Sequence, residues 1–254
     1  MDNRQLSTRS RTPRPQWLGT GTYWLWCCLL LLPATPLLAD DGWQKVLEQD
    51  GISIFLRPVT DSPIKEFKGV IRIKSSLDSL AGVMHDNQAC PEWVHQCQDP
   101  ALLETLSFSE RYVYQVNDFP FPAANRDIIM HALIEQDPSE GSMTIRLNAA
   151  PSYCDDRDNS HCQTIANPQN VHIARSNGHY LLQKLENGWV NVTWQQHIEP
   201  GGALPNWMIN SMLVDIPFNT LKKLRQLVTN PKYQEAKLDY DSNGIAIGFK
   251  VKNW

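Results

Sequence analysis

The segment W-Q-Q-H-I-E-P-G-G-A-L-P-N-W-M-I-N, from Trp194 to Asn210, is the most informative part of the chain. Its first part, with the preceding V-T, is rich in aromatic and β-branched residues, which favours a strand. Gly201 and Gly202 interrupt that pattern, and Pro205 marks the first turn of a helix, where its missing N–H costs nothing. The segment therefore predicts a strand that leads through a short loop into a helix lying over a sheet.

The predicted helix extends from Pro205 towards Val228 and is amphipathic. At 100° per residue, six of its apolar residues fall within about a third of the circumference. They are Ile209, Met212, Leu213, Ile216, Leu224 and Leu227. Pro217 lies inside the helix, where proline costs roughly 3 kcal/mol, so we expect a kink or a break there.

Upstream of this segment, the sequence alternates as antiparallel strands do. In residues 65–74, Phe67, Ile71 and Ile73 point one way and charged side chains point the other. Further strands are predicted at 52–57, 102–109, 111–117, 126–136, 142–149, 171–175, 179–185 and 189–198. Helices are predicted at 43–49, 77–84 and 91–96.

Two Asn-Gly pairs, Asn177-Gly178 and Asn187-Gly188, predict tight hairpin turns between neighbouring strands. The chain lacks the alternation of strands and helices that marks a parallel sheet, and it lacks internal repeats and linkers. We therefore expect an α+β domain in which a long, curved antiparallel sheet grips the C-terminal helix. The tail from Asp241 to Trp254 is expected either to form a short strand around Ile245, Ile247 and Phe249 or to be mobile.

Four stretches, in this order along the chain, resemble the START lipid-transfer domain family. They are I-K-E-F-K-G-V-I-R-I at 64–73, P-E-W-V at 91–94, P-A-A-N-R-D-I-I-M at 122–130, and the segment 192–210 followed by L-K-K-L-R. The resemblance covers about residues 43–228 and implies the helix-grip fold. It also implies a START-like lipid-binding domain at 40–230, followed by a tail at 231–254.

The resemblance implies a lipid-binding cavity between the sheet and its helix. On residue types alone, a solid core is the favoured alternative. The residues expected to contact a ligand are Ile128, Met130, Ala132, Ile134, Val192, Trp194, Met208 and Met212. A gating loop is expected at Phe119, Pro120, Phe121 and Pro122, because two prolines stiffen it and two aromatic rings give it apolar surface.

Some START members carry a buried arginine in the cavity, paired with an acid. Ala132 stands at the matching position, so this charged anchor is expected to be missing. Arg126-Asp127 resembles the family's R-D pair, and an ion pair that pins a loop is the alternative interpretation. Trp93 and Trp207 are expected either in the core or at the mouth of the cavity.

The N-terminus predicts a signal peptide over residues 1–39. Four arginines precede an apolar stretch from Trp17 to Leu32, and Leu37-Leu38-Ala39 precedes the expected cleavage site. An uncleaved membrane anchor is the alternative. We expect an exported protein, periplasmic if the source is a Gram-negative bacterium and otherwise secreted.

The charge of the chain argues against nucleic acid as a partner. Removing residues 1–39 takes away four Arg and one Asp, which leaves 19 basic and 26 acidic residues and a net charge of −7. A mildly acidic surface does not attract nucleic acid or an anionic membrane. The expected partners are a lipid or other hydrophobic small molecule and, transiently, a membrane, and the protein is expected to be a monomer.

Four cysteines follow the predicted signal peptide: Cys90, Cys97, Cys154 and Cys162. An even count in an exported chain favours disulfides, and two local pairs are the simplest of three connectivities. The alternative is a metal site that uses Cys90, His95 and Cys97, or Cys154, His161 and Cys162. Neither set has the paired spacing typical of zinc, so we expect no metal.

The sequence contains none of the common nucleophile, phosphate-binding, dinucleotide-binding or zinc-protease motifs. We therefore expect a lipid carrier without a cofactor and without enzymatic activity. One alternative is a helix-grip enzyme acting on a hydrophobic, polyketide-like substrate, with His131 or His197 as general acid or base. Another is a domain with a filled core that binds only protein partners.

Overall fold

The structure is a computed structural model that describes residues 42–155, 160–165 and 167–254. The predicted signal peptide lies outside these residues. The strands are β1 Gln44–Gln49, β2 Ile52–Val59, β3 Ser62–Lys74, β4 Cys97–Thr105, β5 Glu110–Asn117, β6 Arg126–Asp137, β7 Ser142–Ala149, β8 Val171–His172, β9 Arg175–Lys184, β10 Trp189–Glu199, β11 Lys237–Tyr240 and β12 Ala246–Val251. The helices are α1 Leu77–His85, α2 Cys90–Trp93, α3 Ser160–Ile165, α4 Asn206–Leu227 and α5 Pro231–Gln234.

A ten-stranded sheet forms the body of the domain. Nine strands follow the order β1-β2-β3-β10-β9-β7-β6-β5-β4, and every pair in it is antiparallel. The short β8 joins β6 in parallel, and this is the only parallel pairing among the described strands. Helix α4 packs on β2 and β3. The α+β, helix-grip class predicted from the sequence is confirmed.

Helix α4 has the predicted bounds and an unbroken course. It begins after Pro205, ends before Val228 and runs through Pro217 without interruption, so of the two outcomes expected there, a kink or a break, the break is wrong. Burial of Leu213 before Pro217 and of Leu221 after it, 7% and 0% exposed, stabilises the apolar face on either side of the lost hydrogen bond. Among the described helices, none combines the length and apolar composition needed to cross a bilayer.

The predicted hairpin at Asn177-Gly178 is wrong, because both residues lie inside the single strand β9. Asn177 pairs with His197 and Gly178 pairs with Gln196 on β10. A Cβ atom at Gly178 would lie 2.2 Å from the carbonyl oxygen of Gln195, so the glycine allows a close approach of two strands. The second predicted turn, at Asn187 and Gly188 between β9 and β10, is confirmed, and the φ angles of the two residues are 56° and 70°.

Substituting Gly178 with alanine should lower the free energy of unfolding by about 2 kcal/mol, because the added methyl group collides with backbone. Gly248 in β12 is the matched control, since a Cβ atom there meets nothing within 4 Å. Denaturant unfolding should therefore show a lower midpoint for Gly178→Ala and little change for Gly248→Ala. Equal midpoints for the two variants would contradict the close approach.

Other boundaries differ from the predictions because pairing overrides local preference. Residues 43–49 were predicted to be helical, but β1 occupies Gln44–Gln49 and pairs with β2 at the sheet edge. The helix predicted at 91–96 ends at Trp93, and Gln96 takes a left-handed conformation with φ of 67°. The chain thereby reverses, and β4 begins at Cys97, earlier than predicted.

The C-terminal residues pack on the rest of the domain. Of the two alternatives considered for the tail, the structure contains the strand: β12 pairs with β11. The ring of Trp254 lies 5.5 Å from that of Tyr233 and 5.0 Å from that of Phe249. The backbone N–H of Leu238 donates to the carboxylate of Asp78 on α1. Residues 231–254 therefore form an ordered extension that covers α1.

Two local disulfides are present, Cys90–Cys97 and Cys154–Cys162, with Cα–Cα distances of 5.9 and 5.7 Å. The cysteines are thus not available as thiolate metal ligands, and the side chain of His161 lies outside the described residues. The second disulfide joins the segment that covers the outer face of β4, β5 and β6. A small apolar cluster forms there, comprising Leu103, Tyr114, Val116, Ile129 and Tyr153.

Candidate functional site

A cavity of about 140 Å³ lies between the inner face of the sheet, helix α4 and the connection from α1 to α2. Strands β5, β6, β7, β9 and β10 supply most of its wall, since alternate residues of a strand face the same side. The lining is mainly apolar and includes Val113, Ile128, Met130, Ala132, Ile145, Leu147, Ile173, Trp194, Ile198, Met212 and Ile216. Such a lining suits a hydrophobic ligand.

Three aromatic side chains form one side of the cavity. The rings of Tyr180 and Trp194 stack at 4.9 Å with an interplanar angle of 14°. Trp93 meets Tyr180 edge to face at 5.9 Å, so this tryptophan lines the cavity wall. Complete burial raises the pKa of Tyr180 well above its usual value, which keeps the phenol neutral.

The structure brings together five of the eight side chains proposed as ligand contacts. Ile128, Met130, Ala132, Trp194 and Met212 line the cavity, whereas three others do not. Ile134 and Val192 pack directly into the solid core, and Met208 packs with Phe119 and Met212 beside the cavity. Register alone could not separate them, because α1 and α4 fill part of the inner face.

The loop at Phe119–Pro122 divides its two aromatic rings between the interior and the solvent. Phe119 is 7% exposed and packs on Met208 and Met212 of α4. Phe121 is 94% exposed. Trp207, at the start of α4, is also exposed, in contrast to the buried Trp93. The loop therefore adjoins the helix through one ring and presents the other outward.

Arg126 joins this loop to the connection between β10 and α4. It is 2% exposed, and its guanidinium donates to the carbonyl oxygens of Ala124, Pro200 at 3.3 Å and Gly201 at 3.1 Å. It also lies 4.8 Å from the centre of the Phe119 ring. We call this set of contacts the Arg126 clasp.

The side chain of Asp127 lies on the opposite face of β6 from the side chain of Arg126. Its carboxylate accepts hydrogen bonds from His172 Nδ1 at 2.7 Å and from the hydroxyl of Tyr114 at 3.4 Å. Burial and this carboxylate raise the pKa of Tyr114 to about 12. The interpretation of Arg126-Asp127 as one ion pair is therefore replaced by two separate attachments.

Arg111 is a cavity residue that the sequence analysis did not identify. It is 8% exposed, and its guanidinium donates to the carbonyl oxygens of Met84 at 2.8 Å and His85 at 3.1 Å. Burial lowers its pKa to about 10, so it remains protonated at neutral pH. Arg111 pairs with Ala132 across β5 and β6. Its alternation with Val113 was the sequence signal for this position.

The two histidines considered as acid–base candidates are placed elsewhere. His131 lies on the outer face of β6, where its Nε2 is 2.8 Å from Glu110 Oε1. His197 is buried, and its Nε2 is 3.1 Å from the hydroxyl oxygen of Ser62. Neither residue lines the cavity. A substrate in the cavity would therefore meet neither imidazole.

His85, beside the cavity, gives the protein an acid-sensitive stability. Burial and the nearby cations Arg111 and Lys252 lower its pKa from 6.5 to about 3. The unfolded chain therefore binds a proton below pH 6.5 that the folded chain refuses until about pH 3. This difference in proton binding has no effect on stability above pH 6.5. At pH 5 it should lower the free energy of unfolding by about 2 kcal/mol.

The His85→Phe variant should lose this pH dependence, because phenylalanine can occupy the space between Phe108 and Phe249 without titrating. Thermal unfolding of both proteins between pH 7 and pH 5 provides the measurement. The wild type should lose stability more steeply than the variant. Parallel curves would contradict the assignment to His85.

The chain matches the START domain family model over residues 27–234 and therefore belongs to that family. It is similar to a Pseudomonas aeruginosa protein, with 30% identity over 188 residues that cover 74% of this chain and 87% of that protein. A STAR-related lipid transfer protein fragment from Xanthomonas axonopodis has 33% identity and a TM-score of 0.65, covering 75% of this chain and all of that one. Human STARD10, at 19% identity and a TM-score of 0.62, covers 76% of each chain and shares the fold. Family membership supports binding of a hydrophobic ligand.

Proposed function

We propose that this protein binds one lipid or other hydrophobic molecule in the cavity, shields it from water and transfers it between membranes. The observation that carries the proposal is the mainly apolar cavity under α4, beside the loop that exposes Phe121. Burying each methylene contributes about 0.8 kcal/mol, so a long acyl chain is held firmly. A bilayer offers a similar gain, which makes exchange between the two close to neutral.

Binding requires the cavity to enlarge. Its volume of about 140 Å³ is below the roughly 300 to 1,000 Å³ of most small-molecule sites. Met130 and Met212 line it with flexible, unbranched side chains that can rearrange around varied chains. Opening of the Phe119–Pro122 loop away from α4 then admits the ligand, and this motion sets the rate of transfer.

Export to an oxidising compartment is part of the proposal. The protein has two disulfides, and disulfides form and persist mainly outside the reducing cytosol. With the signal-peptide pattern of residues 1–39, they support action in the periplasm if the source is a Gram-negative bacterium. There the protein would meet membranes directly.

Replacing Phe121 with serine should slow lipid transfer roughly tenfold, because the exposed ring inserts into the bilayer surface when the loop opens. The amount of lipid bound to the purified protein should not change, since Phe121 does not line the cavity. Trp189→Ser is the control, because Trp189 is 41% exposed at the start of β10. Equal transfer rates for both variants would argue against loop insertion.

A vesicle assay tests the proposed function. Donor vesicles of phosphatidylcholine carry a self-quenched fluorescent lipid, and acceptor vesicles carry none. We expect the folded mature protein to accelerate dequenching in proportion to its concentration. A folded protein that leaves the spontaneous rate unchanged, with each of several lipid head groups, would refute transfer.

A further inference from the structure

Arg111 is a buried cation in the cavity wall, and no carboxylate of the residues that the structure describes forms an ion pair with it. Arg111 uses one N–H of each terminal nitrogen for the carbonyl oxygens of Met84 and His85. These carbonyls lie at the C-terminal end of α1, where the helix dipole favours a positive charge. A guanidinium has five N–H donors, so three remain without a hydrogen-bond acceptor in the described ranges 42–155, 160–165 and 167–254, and Arg111 lines the cavity.

A second donor lines the same end of the cavity. The side-chain Nδ2 of Asn87 is buried and has no hydrogen-bond acceptor among the residues that the structure describes. Buried amide groups are normally paired, so an unpaired one beside a cavity points to a partner that occupies the cavity. Arg111 and Asn87 together form what we call the donor end.

The charges around the donor end leave it positive. Asp86 also lines the cavity, but its Oδ2 is 3.2 Å from Lys232 Nζ and 2.9 Å from the Tyr233 hydroxyl, so its charge is balanced. Glu110 is held by His131 on the outer face of the sheet. The imidazole of His85 is neutral at physiological pH because burial lowers its pKa to about 3.

The donor end lies far from the gating loop. Along β5, Arg111, Val113, Gln115 and Asn117 all line the cavity, and Phe119 follows two residues after Asn117. Six residues of strand separate Arg111 from Asn117, which corresponds to about 20 Å. An elongated molecule could therefore place one end at Arg111 and the other near the loop.

This inference rests on the proposed function. We propose that the ligand is an amphiphile whose head group is an oxyanion, either a carboxylate or a phosphate. The head group binds at Arg111 and Asn87, and the alkyl chain is directed towards the loop. The planar guanidinium fork matches both oxyanions. The apolar wall at Met130 and Trp194 accommodates the chain. The head group enters first and neutralises the buried cation.

Three ligands with one alkyl chain test this assignment: tetradecanoic acid, tetradecyl phosphate and tetradecanol. Their affinities are measured on delipidated mature protein by displacement of an uncharged fluorescent probe. We expect the wild type to bind at least one oxyanion at least tenfold more tightly than the alcohol. The better of the two identifies the source as a free fatty acid or a phosphate-headed lipid.

Arg111→Gln should remove this preference while changing the affinity for tetradecanol less than threefold. Arg72→Gln, which removes an exposed arginine from β3, should keep the preference and controls for overall charge. Asn87→Leu retains the Arg111 contacts to α1 and should weaken oxyanion binding about threefold, so it tests the site even if Arg111→Gln fails to fold.

Equal affinities of the wild type for acid, phosphate and alcohol would overturn the oxyanion assignment and leave the lipid-binding proposal standing. The assignment would also be contradicted if a folded Arg111→Gln protein still preferred the oxyanion ligands to tetradecanol. The same holds if Asn87→Leu bound the oxyanion ligands as tightly as the wild type does. If the folded wild type binds none of the three ligands and does not displace lipid probes, the proposed function itself fails.

Discussion

Replacing Ala132 with tryptophan should reduce bound lipid to less than about a tenth of the wild-type amount while the domain stays folded. Ala132 is 3% exposed and lines the cavity at the middle of β6, opposite Arg111 on β5. An indole projecting from this position would occupy space that the ligand needs. Lipid content per mole of purified protein is the measurement, with circular dichroism as the test of folding.

Leu133→Trp is the matched control for this substitution. Leu133 follows Ala132 on the same strand, pairs with Arg146 and faces the outer side of the sheet. The control adds comparable bulk to β6 without entering the cavity, so it should retain its lipid. Undiminished lipid in a folded Ala132→Trp protein would place the ligand somewhere other than this cavity.

Loss of the Arg126 clasp should have the largest effect on stability. Arg126→Ala removes a buried donor from the carbonyl oxygens of Ala124, Pro200 and Gly201, of which the hydrogen bond to Pro200 is buried and the other two are partly buried. We expect the free energy of unfolding to fall by about 4 kcal/mol, which corresponds to a melting temperature roughly 8 to 16 °C lower. Hydrogen exchange of residues 119–125 should accelerate, because the loop loses its attachment to the β10–α4 connection.

Two variants bound this interpretation. Arg126→Lys keeps the charge but lacks the planar fork, so its stability should lie between that of the wild type and that of Arg126→Ala. Arg175→Ala removes an arginine whose side chain is 68% exposed and pairs with Glu199, and it should cost less than about 1 kcal/mol. If Arg126→Ala and Arg175→Ala melted at the same temperature, the clasp would be ruled out as a determinant of stability.

The main architecture could be predicted because the apolar residues recur regularly in strands and helices that bury only one face. Alternation in β3 and the amphipathic pattern of α4 each reflect one buried face, and both elements were located within a few residues. The errors arose where tertiary contacts outweigh local preference. Gly178 has the chemistry of a turn residue, but the strand passes straight through it because only glycine fits against Gln195.

The candidate site was predicted in part, for a physical reason. Alternation along β6 identified Ile128, Met130 and Ala132 as inward-facing, but it could not show where α1 and α4 fill the inner face. Arg111 was missed because the expected anchor was sought on β6, at Ala132, rather than directly across on β5. Cross-strand register, which a single sequence does not reveal, was the missing information.

Lipid binding beneath α4 is tested most directly by organic extraction of the mature protein followed by mass spectrometry. The protein is purified without detergent and incubated with mixed-lipid vesicles before extraction. We expect a lipid in near-equimolar amount in the wild type and its loss from Ala132→Trp. A folded wild-type protein that yields no lipid before or after incubation would contradict the proposal that the space beneath α4 carries a hydrophobic ligand.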